Sequence, residues 1–326
     1  MCNTELSLIL VVDDEPSNLA MMRQILGDKY QLVYAKNGAS TLAAAEKYNP
    51  SLILLDINLP DMDGYEICKQ LKGNPNTAHI PIIFVTTMNS NQDEEIGLKM
   101  GAVDYITKPF SPAIVLARVQ IHLSLVKIEI LEESYREAIY MLGAAGHYND
   151  NDTGVHIWRM AAYATRLAEE CGWGFKSKLL ELAAPMHDTG KIGISDTILR
   201  KPAPLTPDEW VIMKTHPEIG YEILNRGHSP VFKMAAEIAR YHHEKWDGSG
   251  YPHGLSGEAI PESARIVAIT DVFDALTMER SYKKAWSVEE SIAEIKRGSG
   301  KHFDPRLVNK FEKILPDICK IKKQWG

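Results

Sequence analysis

The sequence is poor in sulfur chemistry. Its 326 residues hold four cysteines, Cys2, Cys68, Cys171 and Cys319, far apart and without a Cys-x-x-Cys pair. That spacing excludes a disulfide framework and reads as free thiols in a reducing compartment, so a cytoplasmic protein is expected. Long apolar runs are also missing. None approaches the ~20 residues that span a bilayer, so membrane insertion is not expected. The apolar stretch 6–12 is too short for a signal peptide, and no Lys or Arg precedes it. Positive charge is not in excess: 36 Lys and Arg face 43 Asp and Glu, a net charge of −7. No basic field invites nucleic acid, and a DNA-binding output is not expected. What remains is an ordinary globular mix, 45% hydrophobic and 24% charged, of a length that suits two domains at roughly 150 residues each.

Charge and histidine are unevenly spread. Residues 1–125 carry 9 Lys and Arg against 14 Asp and Glu. Residues 146–326 carry 25 of each and hold 9 of the 11 histidines. The two parts therefore suggest two chemistries.

In the first part, short apolar runs at 8–12, 51–55 and 82–85 read as buried parallel strands, with weaker candidates at 33–35 and 104–106. Helical patterns fall near 17–27, 38–48, 64–72 and 92–100. Alternation of this kind predicts a five-stranded parallel sheet covered on both faces, with ligands at the carboxyl ends of the strands. Asp13 and Asp14 follow the first strand and Asp56 the third. Thr86 ends the fourth, and Lys108 follows the fifth, just before Pro109. Three carboxylates together repel one another and suit a hard cation such as Mg²⁺. One of them could attack a phosphoryl donor, with Lys108 and Thr86 receiving the transferred group.

These residues, with Asp56-Ile-Asn-Leu-Pro-Asp-Met-Asp-Gly64, resemble the receiver domain of two-component response regulators over the whole segment. The resemblance implies a flavodoxin-like doubly wound domain with Asp56 as the phosphorylated residue. It also implies Tyr105 as a rotating aromatic switch, a cis bond at Lys108-Pro109, Mg²⁺ as cofactor, and a histidine kinase or small phosphodonor as partner.

Between 112 and about 142 the pattern is helical, with Ile114, Ala117, Ile121, Leu125, Ile128, Leu131 and Tyr135 at three- and four-residue steps. Two readings stand. The helix pairs with its copy as a coiled coil, giving a homodimer, or it packs on its own domains. Domain limits of 1–125, a connector at 126–145, and 146–326 follow.

The second part shows helical periodicity and no strand alternation, so an all-α domain is expected. Its segments are 155–171, 178–186, 207–213, 217–224, 231–241, 263–276, 288–297 and 306–314. Metal-ligand types recur along it: Asp152 and His156 four residues apart, His187-Asp188 with Lys191, His216, His242-His243, and Asp271. Nitrogen and oxygen donors without thiolates suit Fe, Mn, Ni or Zn, and a bridging carboxylate suits more than one ion. Two ions ~3.5–4 Å apart clamp a phosphodiester. His79, His122, His147, His228 and His253 lack such company, and His302 beside Phe303 reads as structural.

His187-Asp188 resembles the signature of HD-domain metal-dependent phosphohydrolases. His242-His243-Glu244-Lys-Trp-Asp-Gly-Ser-Gly250-Tyr251-Pro252 is similar to the mark of their HD-GYP subfamily. The resemblance implies hydrolysis of cyclic di-GMP to pGpG, and in some members to GMP. It implies His156, His187, Asp188, His216, His242, His243 and Asp271 as ligands of two or three ions, with Fe or Mn foremost. His187, Asp188 and Lys191 would carry catalysis, while Lys191, Tyr251, Arg280 and Lys283 would hold substrate. Members with three metals carry Glu where this chain has Asp152, so the number of ions stays open. The rivals are an HD-type hydrolase of pGpG or another cyclic dinucleotide, and a silent binding module.

Overall fold

The structure is a computed structural model that describes residues 6–87, 97, 99–147, 155–279 and 284–325. The chain divides into two compact units, Met1–Glu133 and Ser134–Gly326.

The first unit is built on five parallel strands, β1 (Leu8–Val12), β2 (Gln31–Ala35), β3 (Leu52–Asp56), β4 (Ile82–Thr86) and β5 (Asp104–Thr107), in the order β2-β1-β3-β4-β5. Its helices include α1 (Pro16–Leu26), α2 (Gly38–Tyr48), α3 (Gly64–Gly73) and the start of α4 (Pro112–His147). The helix expected over 92–100 lies almost wholly outside the described residues. Strands β1, β3 and β4 read as nearly continuous apolar runs because both their faces are covered. On one face Leu10, Ile53, Leu55, Ile82 and Phe84 pack with Ile67 and Leu71 of α3. On the other Ile9, Val11, Leu54 and Ile83 pack with Leu19 and Met22 of α1 and Val115 and Val119 of α4. Asn37 caps α2 by accepting from the Ser40 amide, and Asp63 caps α3 from Tyr65. These caps set where each helix starts after its strand-end loop, leaving the polar strand ends at one edge of the sheet.

Every helix or strand element described in the second unit is a helix. The unit comprises the end of α4, then α5 (Val155–Glu170), α6 (Phe175–Ala183), α7 (Asp196–Leu199), α8 (Pro207–Met213), α9 (His216–Leu224) and α10 (Pro230–Tyr241). These are followed by α11 (Glu262–Thr277), α12 (Val288–Arg297), α13 (Pro305–Lys313) and α14 (Leu315–Trp325). Met160, Leu167, Leu180, Ile238, Ile266, Phe273, Leu307 and Phe311 form its core. The single helix expected over 178–186 is instead α6 followed by a 3-10 turn, Ala184–Met186. Pro185 has no N–H to continue the α-helical ladder, so the chain tightens there. A second 3-10 turn, Thr189–Gly193, follows. His187 and Asp188 thus sit between two tight turns, just beyond the end of the expected helix. Helix α14, also not expected, buries Ile318 in the core.

Candidate metal centres

At the carboxyl edge of the sheet, Asp13, Asp14 and Asp56 bring carboxylate oxygens within 4.8 Å of one another. Asp13 and Asp56 are buried while Asp14 is exposed. The Lys108 ammonium lies 2.8 Å from Asp13 and 2.7 Å from Asp56, and a cis bond joins Lys108 to Pro109. Thr86 is buried beside them, and its carbonyl accepts from the Lys108 amide. Burial raises the Asp56 pKa, and Lys108 offsets only part of that rise. Tyr105, on β5, has the Arg118 guanidinium over its ring at 5.3 Å. Sequence reasoning missed Asn18, whose amide donates to both Asp13 oxygens at 3.0 Å and fixes that carboxylate.

In the helical unit two groups of donors form. One is Asp188, His216, His242 and His243; the other is His156, His187 and Asp271. They come from α5, the turn after α6, α9, the end of α10, and α11. Asp188 links the groups. Its Oδ1 is 3.3 Å from His216 Nε2 and 3.7 Å from His242 Nε2, and its Oδ2 is 3.2 Å from His187 Nε2. Asp271 Oδ1 in turn lies 3.7 Å from His156 Nε2 and 4.0 Å from His187 Nε2.

The imidazoles are oriented alike. His187 Nδ1 faces the Ala184 carbonyl at 2.9 Å, His216 Nδ1 the Met213 carbonyl at 2.8 Å, and His242 Nδ1 the Ala239 carbonyl at 2.9 Å. A carbonyl only accepts, so each Nδ1 carries a proton and each Nε2 faces inward, where it offers a lone pair once the ring carries no second proton. The Nε2 atoms of His216 and His242 are buried with no hydrogen-bond partner. Such atoms are costly unless a cation takes the lone pair, so the donors fit a transition metal, with backbone carbonyls fixing ring orientation.

The electrostatics agree. Burial pulls His216 down to about 4 and holds His243 well below the ordinary imidazole value, so both stay neutral. Burial also opposes charge on His187, but the neighbouring Asp188 and Asp271 outweigh it and raise the group to about 9. That proton must leave when a cation enters. Burial penalises charge on Asp188 as well; Lys191, 2.8 Å away, and His187 outweigh it, so the carboxyl stays ionised.

Behind His156 stands a partner set that sequence reasoning did not single out. Asp274 contacts His156 Nδ1 and accepts from Arg159 Nε at 2.5 Å and Nη2 at 2.8 Å. Arg159 and Asp274 are 1% and 0% exposed, so this pair is sealed in the core. Asp274 lies 115 residues from Arg159 and 118 from His156 along the chain, and no local pattern marks the set.

Tyr251 stacks on His243 with ring centres 4.7 Å apart, placing a phenol at the rim of the donors. The loop that carries it is held by buried Glu244, whose carboxylate accepts from the His253 and Leu255 amides at 2.7 and 3.1 Å. Gly250 is required there: a Cβ would lie 2.3 Å from the Lys245 nitrogen. Of the histidines set aside, His122 binds Asp104 and His253 binds Glu218, as structural residues do. His302 stacks on Phe303, and burial pulls it down to about 4. Asp152, Arg280 and Lys283 lie outside the described residues.

A phosphoacceptor-type sheet edge and a helical unit with a buried His-Asp donor cluster define a response-regulator receiver joined to an HD domain. Comparison with known proteins agrees in both halves: the response regulator receiver domain matches residues 9–120 and the HD domain residues 130–307. The chain belongs to the family of HD-domain response regulators. A protein of Vibrio cholerae serotype O1 named "Probable cyclic di-GMP phosphodiesterase" is 39% identical over 93% of this chain and 76% of its own length. The "Cyclic di-GMP phosphodiesterase response regulator RpfG" of Xanthomonas campestris pv. campestris is 37% identical over 92% of this chain and 86% of its own. The "3'3'-cGAMP-specific phosphodiesterase 2" of Vibrio cholerae is 47% identical over 55% of this chain and 34% of its own.

Proposed function

We propose that the chain is a phosphodiesterase that hydrolyses cyclic di-GMP to pGpG, with GMP as the product of a second cleavage, under control of phosphorylation at Asp56. The observation that carries this reading is the inward-turned donor cluster around Asp188, together with relatives named for that activity over most of their length. His156, His187, Asp188, His216, His242, His243 and Asp271 would hold two or more metal ions. Fe or Mn is favoured, and Ni or Zn is compatible with the same donors. Bound metal supplies Lewis-acid charge and lowers the pKa of water. Lys191, held at Asp188, would offset charge on a phosphate oxygen, and Tyr251 would contact the nucleotide from the rim. Arg280 and Lys283 would add charge toward the substrate.

In the receiver, Asp13, Asp14 and Asp56 would hold Mg²⁺, and a histidine kinase would be the cognate donor. Thr86 and Lys108 would receive the phosphoryl oxygens, and Tyr105 would follow Thr86. Residues 126–145 would serve as connector within α4. Ile114, Ile121, Ile128 and Tyr135 recur at heptad spacing and are exposed, which supports pairing of α4 with its copy.

The test is chromatography of nucleotides after incubating purified protein, loaded anaerobically with Fe²⁺ or Mn²⁺, with cyclic di-GMP and separately with 3'3'-cGAMP. Formation of pGpG from cyclic di-GMP is expected. The second reading, preference for another cyclic dinucleotide, rests on the 47% identical relative and wins if only 3'3'-cGAMP is cleaved. No product from either substrate with either metal would sink the enzyme reading.

A further inference from the structure

The last turns of α4 meet the metal-donor turn without an intervening side chain. Gly143 and Gly146, three residues apart, lie on one helix face and are buried, while Ala144 and Ala145 between them are exposed. A Cβ on Gly146 would stand 2.8 Å from Thr189 Cα, 3.1 Å from its nitrogen and 3.3 Å from the Asp188 carbonyl carbon. A Cβ on Gly143 would stand 3.1 Å from both Pro185 Cβ and Pro185 O. The helix is pinned here: Ile139 is in the core, and Tyr140 packs edge-on against Trp158 at 3.8 Å. The other side of the turn is fixed too, since the Lys191 amide donates to the Asp188 carbonyl and His187 Nδ1 to that of Ala184.

We infer that Gly146 is a positioning residue for Asp188: the backbone of α4, through Gly146, sets where the bridging carboxylate stands. This rests on the metal-site reading above. Carbon atoms pack at ~3.5–4.0 Å, so a methyl group on Gly146 forces the Asp188–Thr189 backbone to move by roughly 0.7 Å or more. Metal-ligand distances tolerate only about ±0.2 Å. The same contact delivers any movement of the α4 terminus directly to the donor set.

The test is Co²⁺ titration of the full chain and of Gly146→Ala, followed by visible absorption, which reports ligand geometry, and by calorimetry. Circular dichroism checks that the variant folds. Folded Gly146→Ala is expected to bind Co²⁺ at least about 10-fold more weakly with an altered spectrum, and to lose kcat with KM little changed. Gly143→Ala, with a milder clash against Pro185, is expected to shift the spectrum in the same direction by less, and it decides the matter if Gly146→Ala does not fold. Unaltered Co²⁺ affinity and spectrum in the folded variant overturn the assignment. Failure of the unsubstituted chain to take up Co²⁺ overturns the metal-site reading along with it, which the parallel control makes distinguishable.

Discussion

At the scale of single residues, Asp56, the proposed phosphoacceptor, is held at a cost to the fold. Burial raises its pKa above the usual carboxylate range, and Lys108 offsets part of this. A raised pKa in the folded state means that ionisation of Asp56 destabilises the fold. The penalty is absent below the ordinary carboxylate range, where folded and unfolded chains both bind the proton. It is fully present once the pH has passed the folded value. Asp56→Asn is therefore expected to raise the melting temperature of the receiver at pH 7.5 and to leave it nearly unchanged at pH 3.5. Thermal unfolding at the two pH values checks this; an equal shift at both would count against it. The same variant is expected to lose phosphoryl incorporation from acetyl phosphate on phosphate-affinity gels, together with any change in turnover that the donor causes. The acidic and basic residues of this site were legible in the sequence because each follows an apolar strand. Asn18 was not, since an Asn inside a helix pattern carries no mark of the carboxylate it binds.

At the scale of elements, the pattern of apolar runs and periodic helices recovered the sheet and most helices. It failed where tertiary contacts decide. The turn at Ala184–Met186 was merged into one helix with α6, and α14 went unseen because its five charged and amide side chains mask a thin apolar stripe at Leu315, Ile318 and Ile321. The Arg159–Asp274–His156 set was invisible because its members meet only once α5 and α11 pack together. Glu244 stood in the quoted motif without an assigned role, yet it anchors the loop of Tyr251. Glu244→Gln keeps the volume and turns an amide donor toward one of two backbone N–H groups, leaving a buried donor unsatisfied at ~1–3 kcal/mol. The expected result is a several-fold higher KM with unchanged metal content by elemental analysis; lost metal with unchanged KM would contradict it. For α4, Glu at both Ile121 and Ile128 places charges in the proposed seam. Sedimentation velocity is expected to show dimer in the unsubstituted chain and monomer in this variant.

At the scale of the whole molecule, two compact units, each with its own candidate cation site, should respond to separate ligands. A ligand that binds only the folded state stabilises it by RT ln(1 + [L]/Kd), about 2.7 kcal/mol at a hundredfold excess over Kd. On the proposed reading, Mg²⁺ with beryllofluoride, a phosphoryl mimic, is held by the Asp13, Asp14 and Asp56 oxygens and the Lys108 ammonium. On the proposed reading, Mn²⁺ at low concentration is held by the imidazoles around Asp188. Calorimetric scans are therefore expected to show one transition rising with Mg²⁺ and beryllofluoride and another rising with Mn²⁺. Replacing both His187 and Asp188 by Ala removes one donor from each group in the helical unit. In that variant the Mn²⁺-dependent shift and phosphodiester turnover should vanish, while the beryllofluoride-dependent shift persists. If the Mn²⁺ shift survives the double substitution, the histidine-rich cluster is not where the ion binds. If both shifts vanish together, the substitution has unfolded more than the site. Cleaner discrimination then comes from His216→Ala, which removes one inward Nε2 and leaves the His187-Asp188 turn and its contact with Gly146 in place.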